Sequence, residues 1–405
     1  MELQDLLVTN LQSAWWVVAV AAVAPILALV TRRHVPDVVW LLALGVVIGP
    51  HGYDVAHHTE AIEFLRELGM GFLFLLAGFE LNTSDLRARQ GKQAAVTWLI
   101  CAALGVGAGL LLSSGELKTA IVLGIASTST ALGTLLPILK DSGVKGSPLG
   151  KAAMIHGAYG ELLPIIAMSL LLSAHGTGVS ALILVLFAVL AVLIVLVPVR
   201  VFRRIPMLGR ALVGAANTTM QTTLRFAVLA LISLMLLTAV LELDVALGAF
   251  SAGLLLNSLY KAVAPELGVE VAHKVEIVGF SFLIPVFFVT SGMNIDVMAV
   301  IREWPTLLGF VVMIAVVRGV VVFVREKFAA THSGLTHDRE RMALGLYAAT
   351  GLPIIVAVTQ IAQSSGIIED TTASVLVTAG AVTVLLFPLL AALLIRSQKH
   401  TVEVQ

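Results

Sequence analysis

Charge is what this sequence has least of: Asp, Glu, Lys and Arg make up 12% of its 405 residues, about half the share of a soluble globular chain. Too little polar surface remains to face water on all sides, which excludes a soluble enzyme or binding domain as the main architecture. Cysteine is almost absent as well. With Cys101 alone no disulfide can close within the chain, and its apolar surroundings mark it as a packing residue. The 25 basic and 25 acidic side chains cancel, leaving no net field for a nucleic acid or other polyanion. The opening MELQDLL lacks a basic n-region, so the first apolar stretch is expected to be kept as a span rather than removed as a leader. Nucleophile elbows, phosphate loops and paired metal-ligand spacings are missing too, so neither an enzyme nor a cofactor is expected. The fragment GVGAG, Gly105 to Gly109, reads as helix packing.

What the sequence does have is apolar length, with 59% hydrophobic residues. A membrane span takes about 20 of them. Thirteen candidates follow one another: 12–31, 36–50, 61–80, 93–113, 118–140, 149–173, 178–199, 224–241, 244–260, 271–293, 304–324, 341–363 and 373–395. The expectation is an all-α polytopic membrane protein with thirteen transmembrane helices and the lipid bilayer as its solvent. Basic residues gather in cytoplasmic joints. If the N-terminus is outside, 21 of the 25 fall at inner joints, Lys118 and Arg302 at outer ones, and Arg66 and Arg318 within spans. That alternation predicts a plasma (inner) membrane protein with its N-terminus outside and its C-terminus in the cytoplasm.

The chain also repeats itself. The third span ends FLFLLAGFELN and the tenth VFFVTSGMNID, at an offset of 214; GIASTSTALGTLLP in the fifth and GLYAATGLPII in the twelfth stand about 221 apart. Partners seven spans apart cross in opposite directions, so the repeat is inverted. Inverted repeats with matched helices broken by Gly, Pro and hydroxyl residues mark secondary transporters, whose site lies where the breaks meet near the midplane.

Glu161 stands out in that frame. It follows Lys151, at the inner end of the sixth span, by ten residues, or about 15 Å of helix, which puts an acid at mid-membrane. There it must take a proton, bind a cation or pair with a basic group. Arg318 reaches a similar depth in the eleventh span and suits either Glu161 or the carbonyl end of a broken helix. His156, nearer the cytoplasm, is a candidate for the proton path, as is Glu276 at the inner end of the tenth span; packing and gate roles compete for both. Thr128, Ser129 and Thr130 at the fifth-span break, mirrored by Thr350, Gly351 and Pro353, offer oxygens that suit a hard monovalent cation, unless the hydroxyls bond back to their own helix. Glu80 reads as an interface or gate charge.

ALGAFSAGLLLN (Ala246 to Asn257) and IPVFFVTSGMNID (Ile284 to Asp296), with LLAGFELN and ASTSTAL, resemble the monovalent cation:proton antiporter-2 family of Kef-type potassium and Nap-type sodium exchangers. The resemblance runs over nearly the whole chain. It implies an inverted-repeat antiporter fold with crossing discontinuous helices, the fifth and twelfth, and a homodimer. It divides the chain into scaffold helices in 1–92 and 224–300, core helices in 93–173 and 304–396, and a linker in 174–223. It implies that Glu161 takes the place of the family's essential Asp, with Thr128, Ser129 and Thr130 as its fifth-helix hydroxyls and Arg318 as its eleventh-helix base. Two departures stand out. Gly160 occupies a place where the family usually has Asp, Asn or Gln. The chain also ends nine residues after Arg396, so nucleotide-controlled regulation of the Kef type is expected to need a separate regulatory subunit or to be absent.

The expected function is exchange of K+ or Na+ for H+, with both competing for Glu161 and no net charge moved per cycle. The alternatives are a proton-coupled carrier of a small organic solute, with Gly160 making room beside Glu161, and a gated channel. Sodium and potassium both take oxygen ligands, and the letters do not separate them.

Overall fold

The computed structural model describes residues 2–31, 35–81, 83–132, 135, 138–139, 143–171, 177–204, 222–263 and 265–402, and every regular element among them is a helix. In chain order these are α1 (Glu2–Val30), α2 (Asp37–Ile48), α3 (Glu60–Glu80), α4 (Thr83–Arg87), α5 (Arg89–Leu112), α6 (Leu117–Thr128), α7 (Pro148–Leu171) and α8 (Thr177–Arg204). There follow α9 (Thr222–Val240), α10 (Val245–Val263) and α11, which runs from Pro265–Val278 through a π-helical turn, Gly279–Leu283, into Ile284–Met293. After α12 (Val297–Arg302) comes α13, made of Trp304–Ile314, a second π-helical turn Ala315–Val320, and Val321–Phe328. The last three are α14 (Asp338–Ala348), α15 (Leu352–Ser364) and α16 (Asp370–Val402). Pro137 and the basic joints at Arg32, Arg33, Lys140 and Arg210 lie outside the described residues.

Each of the thirteen apolar stretches falls mainly on helix. Among the described residues, eight helices are long and apolar enough to cross a membrane. This is a multi-pass membrane protein. Some of the remaining stretches miss that standard for plain reasons. α2 and α6 have 12 residues each, about 18 Å of helix against a hydrocarbon thickness of about 30 Å. α3 carries Glu63, Arg66 and Glu67 in its first half, and Arg66 neutralises both acids at 2.5 and 3.2 Å.

The chain forms two compact units: Met1–Thr59, Asn82–Ala167 and Phe288–Gln405 make one, Glu60–Leu81 and Met168–Phe287 the other. Close backbone approach at glycine builds both, as expected where lipid supplies no hydrophobic drive between helices. In the second unit a Cβ on Gly78 would stand 2.7 Å from the Leu254 nitrogen, and one on Gly253 3.0 Å from Gly78 Cα. Asn257 seals this α3–α10 contact by donating to the Leu81 carbonyl at 2.7 Å. In the first unit Gly292 abuts the Leu42 backbone, Gly109 that of Ala120, and Gly345 that of Gly319. Gly105 and Gly109 therefore pack α5 on α6, as GVGAG suggested, while Gly107 faces open space.

Two helices of the first unit are interrupted. α6 stops at Thr128, residues 129–131 leave the helix, and Leu132 resumes it. α14 stops at Ala348 and α15 begins at Leu352, with Pro353 in its first turn, where a missing N–H costs nothing.

Candidate functional site

An interrupted helix leaves carbonyls at one stub and N–H groups at the next without partners. In the first unit the two interruptions supply one another. Ala131 donates its N–H to the Thr350 carbonyl at 2.7 Å, and the Ser129 hydroxyl donates to the Ala126 and Gly351 carbonyls at 2.8 and 3.2 Å. The Thr130 hydroxyl donates to the Ala348 carbonyl, at the end of α14. Gly351 has no room for a side chain, since a Cβ there would lie 2.7 Å from the Ser129 carbonyl oxygen.

The same loop reaches α7, where the Thr130 N–H donates to the Gly160 carbonyl at 2.8 Å. Glu161 is therefore one residue from a backbone bond to the broken helix, and it is 1% exposed. Thr128, Ser129, Thr130 and Thr350 are equally buried. Thr128 and Thr350 donate back to Ile125 and Tyr347 of their own helices, at 3.0 and 2.7 Å, which is the bland use of a helical hydroxyl. Thr130 bonds across the breaks instead, and Ser129 does both.

Arg318 completes the cluster. It sits in the π-helical turn of α13, a departure from α-helix often found at functional places, and it is fully buried. A guanidinium out of water costs several kcal/mol unless its donors are taken up. Here Nη2 donates to the His156 carbonyl at 2.9 Å and to Thr130 Oγ1 at 3.2 Å, Nε to the Ala348 carbonyl at 3.3 Å, and Nη1 to Cys101 Sγ at 3.9 Å. Of the two partners the sequence suggested for Arg318, the carbonyl end of a broken helix is one it has. The negative end of the α14 dipole adds to that attraction. Cys101 is buried, as expected, but it also accepts from this guanidinium.

Gly160 explains its own presence. A Cβ there would lie 2.6 Å from Thr130 Cβ and 2.7 Å from Arg318 Nη2, so the volume of a side chain at 160 is already taken by threonine and arginine. The room that an organic substrate would need beside Glu161 is filled on this side.

His156 is 3% exposed, and its Nε2 lies 3.4 Å from Oε1 of Glu326. Glu326 escaped the sequence reading because it stands between Arg325 and Lys327, where an acid looks like part of a solvated joint. Glu276 belongs to the second unit; it is about half exposed and lies 3.7 Å from His273 Nδ1.

The chain is similar to several known proteins. The K(+) efflux antiporter 1 of Arabidopsis thaliana chloroplasts is 25% identical over 307 residues, 71% of this chain and 24% of that protein. The Na(+)/H(+)-K(+) antiporter GerN of Bacillus cereus is 25% identical over 269 residues, 65% of this chain and 66% of the other. The putative Na(+)/H(+) antiporter YjbQ of Bacillus subtilis is 27% identical over 314 residues, 73% of this chain, and this chain spans about half of its length, 49%. Among solved structures, the sodium proton antiporter MjNhaP1 of Methanocaldococcus jannaschii has the same fold, with a TM-score of 0.68 at 17% identity over 96% of this chain and 97% of that one. Residues 18–394 match the family described as sodium/hydrogen exchanger, transmembrane, and with nearly the whole chain inside that match, it is a member of the monovalent cation:proton antiporters.

Proposed function

We propose that this chain is the transmembrane unit of a secondary active antiporter that exchanges K+ or Na+ for H+, with Glu161 as the acid on which proton and cation compete. The observation that carries the reading is the burial in one cluster of a carboxylate-bearing helix, a fixed guanidinium and two interrupted helices tied to each other and to Gly160. An intramembrane acid so placed is functional by default, and interrupted helices are where transporters coordinate ions. Glu161 carries the exchanged ion, and oxygens of Thr128, Ser129, Thr130 and Thr350 line the approach. Arg318 is the resident positive charge, held by backbone carbonyls so that it stays when the ion leaves.

The chain crosses a plasma membrane thirteen times from an outer N-terminus to a cytoplasmic C-terminus, with the interrupted helices crossing near the midplane, and two copies associate. Core helices within 93–173 and 304–396 move against a scaffold drawn from 1–92 and 224–300, with 174–223 as linker. One acid exchanging one proton for one monovalent cation carries the same charge in both directions, so the cycle is electroneutral. His156 and Glu276 are assigned to the proton path.

In proteoliposomes, Glu161→Gln is expected to abolish cation flux driven by a pH gradient, and normal flux in that variant refutes the assignment. Supplying sodium, potassium or neither identifies the cation. A carrier of organic solutes would acidify or alkalinise the lumen with no cation dependence.

A further inference from the structure

The first unit holds a buried acid that this mechanism does not use. Glu326 lies in the last turn of α13 between two basic residues, yet it is 6% exposed. Its Oε1 lies 3.4 Å from His156 Nε2. Its Oε2 accepts from the hydroxyls of Thr331 at 2.7 Å and Ser333 at 2.6 Å. Thr331 is buried and Ser333 half-buried, while His332, Gly334 and Thr336 in the same loop are exposed. A chain of hydrogen-bonding groups therefore runs from a water-facing loop through a carboxylate to an imidazole on α7. The other ring nitrogen, His156 Nδ1, is buried with no hydrogen-bond partner among the described residues. Glu161 follows on the same helix five residues later, about 7.5 Å of rise.

A tie between loop and helix does not require this chemistry. Burying a carboxylate against an imidazole costs several kcal/mol before any gain, and an apolar contact of equal size would serve as well or better. Nearby in sequence on α7, on α13 and in the same loop, Ala152, Val322 and Leu335 belong to a buried apolar cluster with Leu135, Leu149 and Tyr347. The cations facing His156 are Arg318 and Arg325, and Glu326 is the anion. Arg318 is spent on carbonyls, a hydroxyl and a thiol, and Arg325 donates to Gln93 Oε1 at 2.7 Å, which leaves the carboxylate to the imidazole and the two hydroxyls.

We propose that Ser333, Thr331, Glu326 and His156 form the proton relay between Glu161 and the inner solution. This rests on the reading of Glu161 as the exchanging acid. On the inward path a proton from water binds the Glu326 carboxylate. The O–H bond at Oε1 then breaks as an N–H bond forms at His156 Nε2. The imidazolium releases its Nδ1 proton through intervening water to the Glu161 carboxylate, and a neutral imidazole remains. One proton has moved, and the reverse sequence empties the site.

The full chain in proteoliposomes separates a relay from a tie. Radioactive sodium, and rubidium as a potassium analogue, report two modes: exchange against protons down a pH gradient, and cation-for-cation exchange at equal pH, which moves no proton. Glu326→Gln and His156→Gln are each expected to lower the ratio of the first mode to the second at least fivefold, with a deficit that grows as the loop side becomes more alkaline. Glu326→Asp should restore at least half of the ratio. Thr331→Val combined with Ser333→Ala should lower the ratio at least twofold, and it decides the matter if neither single variant folds. A merely structural pair would slow both modes together, so a ratio above these limits overturns the relay. Glu161→Gln is expected to lose both modes; if it keeps both, the site reading fails, and the ratio in the Glu326 variant still reports on the relay by itself.

Discussion

At the scale of single residues, Gly160 and Arg318 are two halves of one solution. A planar guanidinium offers five donors in a fixed fork, and bringing it against the backbone of α7 requires that residue 160 have no side chain. Gly160→Ala is therefore expected to cost about 1–3 kcal/mol as an overpacked substitution, read as a lower melting temperature in detergent. Gly160→Asn, which installs a residue of the kind the resemblance implies here, should be worse still, because the guanidinium would have to leave. Arg318→Lys keeps the charge but cannot reach the acceptors on His156, Ala348, Thr130 and Cys101 at once. Arg318→Met removes the charge and leaves the carbonyls bare, at about 1.5–3 kcal/mol for each charge-assisted bond lost. Melting curves should rank these proteins wild type, Lys, Met; equal stability of the Met variant would mean that water replaces the arginine.

At the scale of elements, helix ends and glycine contacts do the organising. Asp296 caps α12 by accepting from the Ala299 N–H at 3.0 Å, and that bond holds its carboxyl below the usual carboxylate range. The folded-state value is the lower one, so the stabilisation is complete above an unfolded carboxylate's pKa of about 3.9 and is lost as the pH falls through the folded value. Asp296→Ala should thus cost about 1 kcal/mol near neutrality, and the two melting curves should converge in acid. A constant gap at every pH would assign the effect to packing. Between α13 and α14, Gly345 stands so near Gly319 that a Cβ would lie 3.2 Å from its carbonyl carbon. Gly345→Leu is expected to separate these helices and displace Arg318, lowering exchange and stability together.

At the scale of the whole molecule, stoichiometry follows from counting the charges that travel. On the proposed reading, with Arg318 fixed and Glu161 the one exchanging acid, a cycle would move one proton against one monovalent cation. Each uncompensated charge would feel about 2.3 kcal/mol per 100 mV, enough to change rates many-fold. The exchange rate at constant pH gradient should hold within a factor of two as the membrane potential is varied over 100 mV, and a steep dependence would require a second travelling charge.

The membrane class and the helical segments were legible in the letters because scarce charge and long apolar runs constrain a chain locally, wherever it later packs. Glu161 and Arg318 were legible too, since an ion in an apolar span is conspicuous without knowledge of its neighbours. Three of the motifs that carried the resemblance, LLAGFELN, ALGAFSAGLLLN and IPVFFVTSGMNID, proved to be packing surfaces: Gly78, Gly253 and Gly292 bring backbones together, and Asn257 caps a carbonyl. Which hydroxyls bond across a break and which bond back, why residue 160 is glycine, and that Glu326 points inward to His156 from a run of basic residues were decided by the tertiary structure alone. Those facts join residues 30 to 222 positions apart, and a sequence read one segment at a time carries no information about which distant group will fill the space beside it.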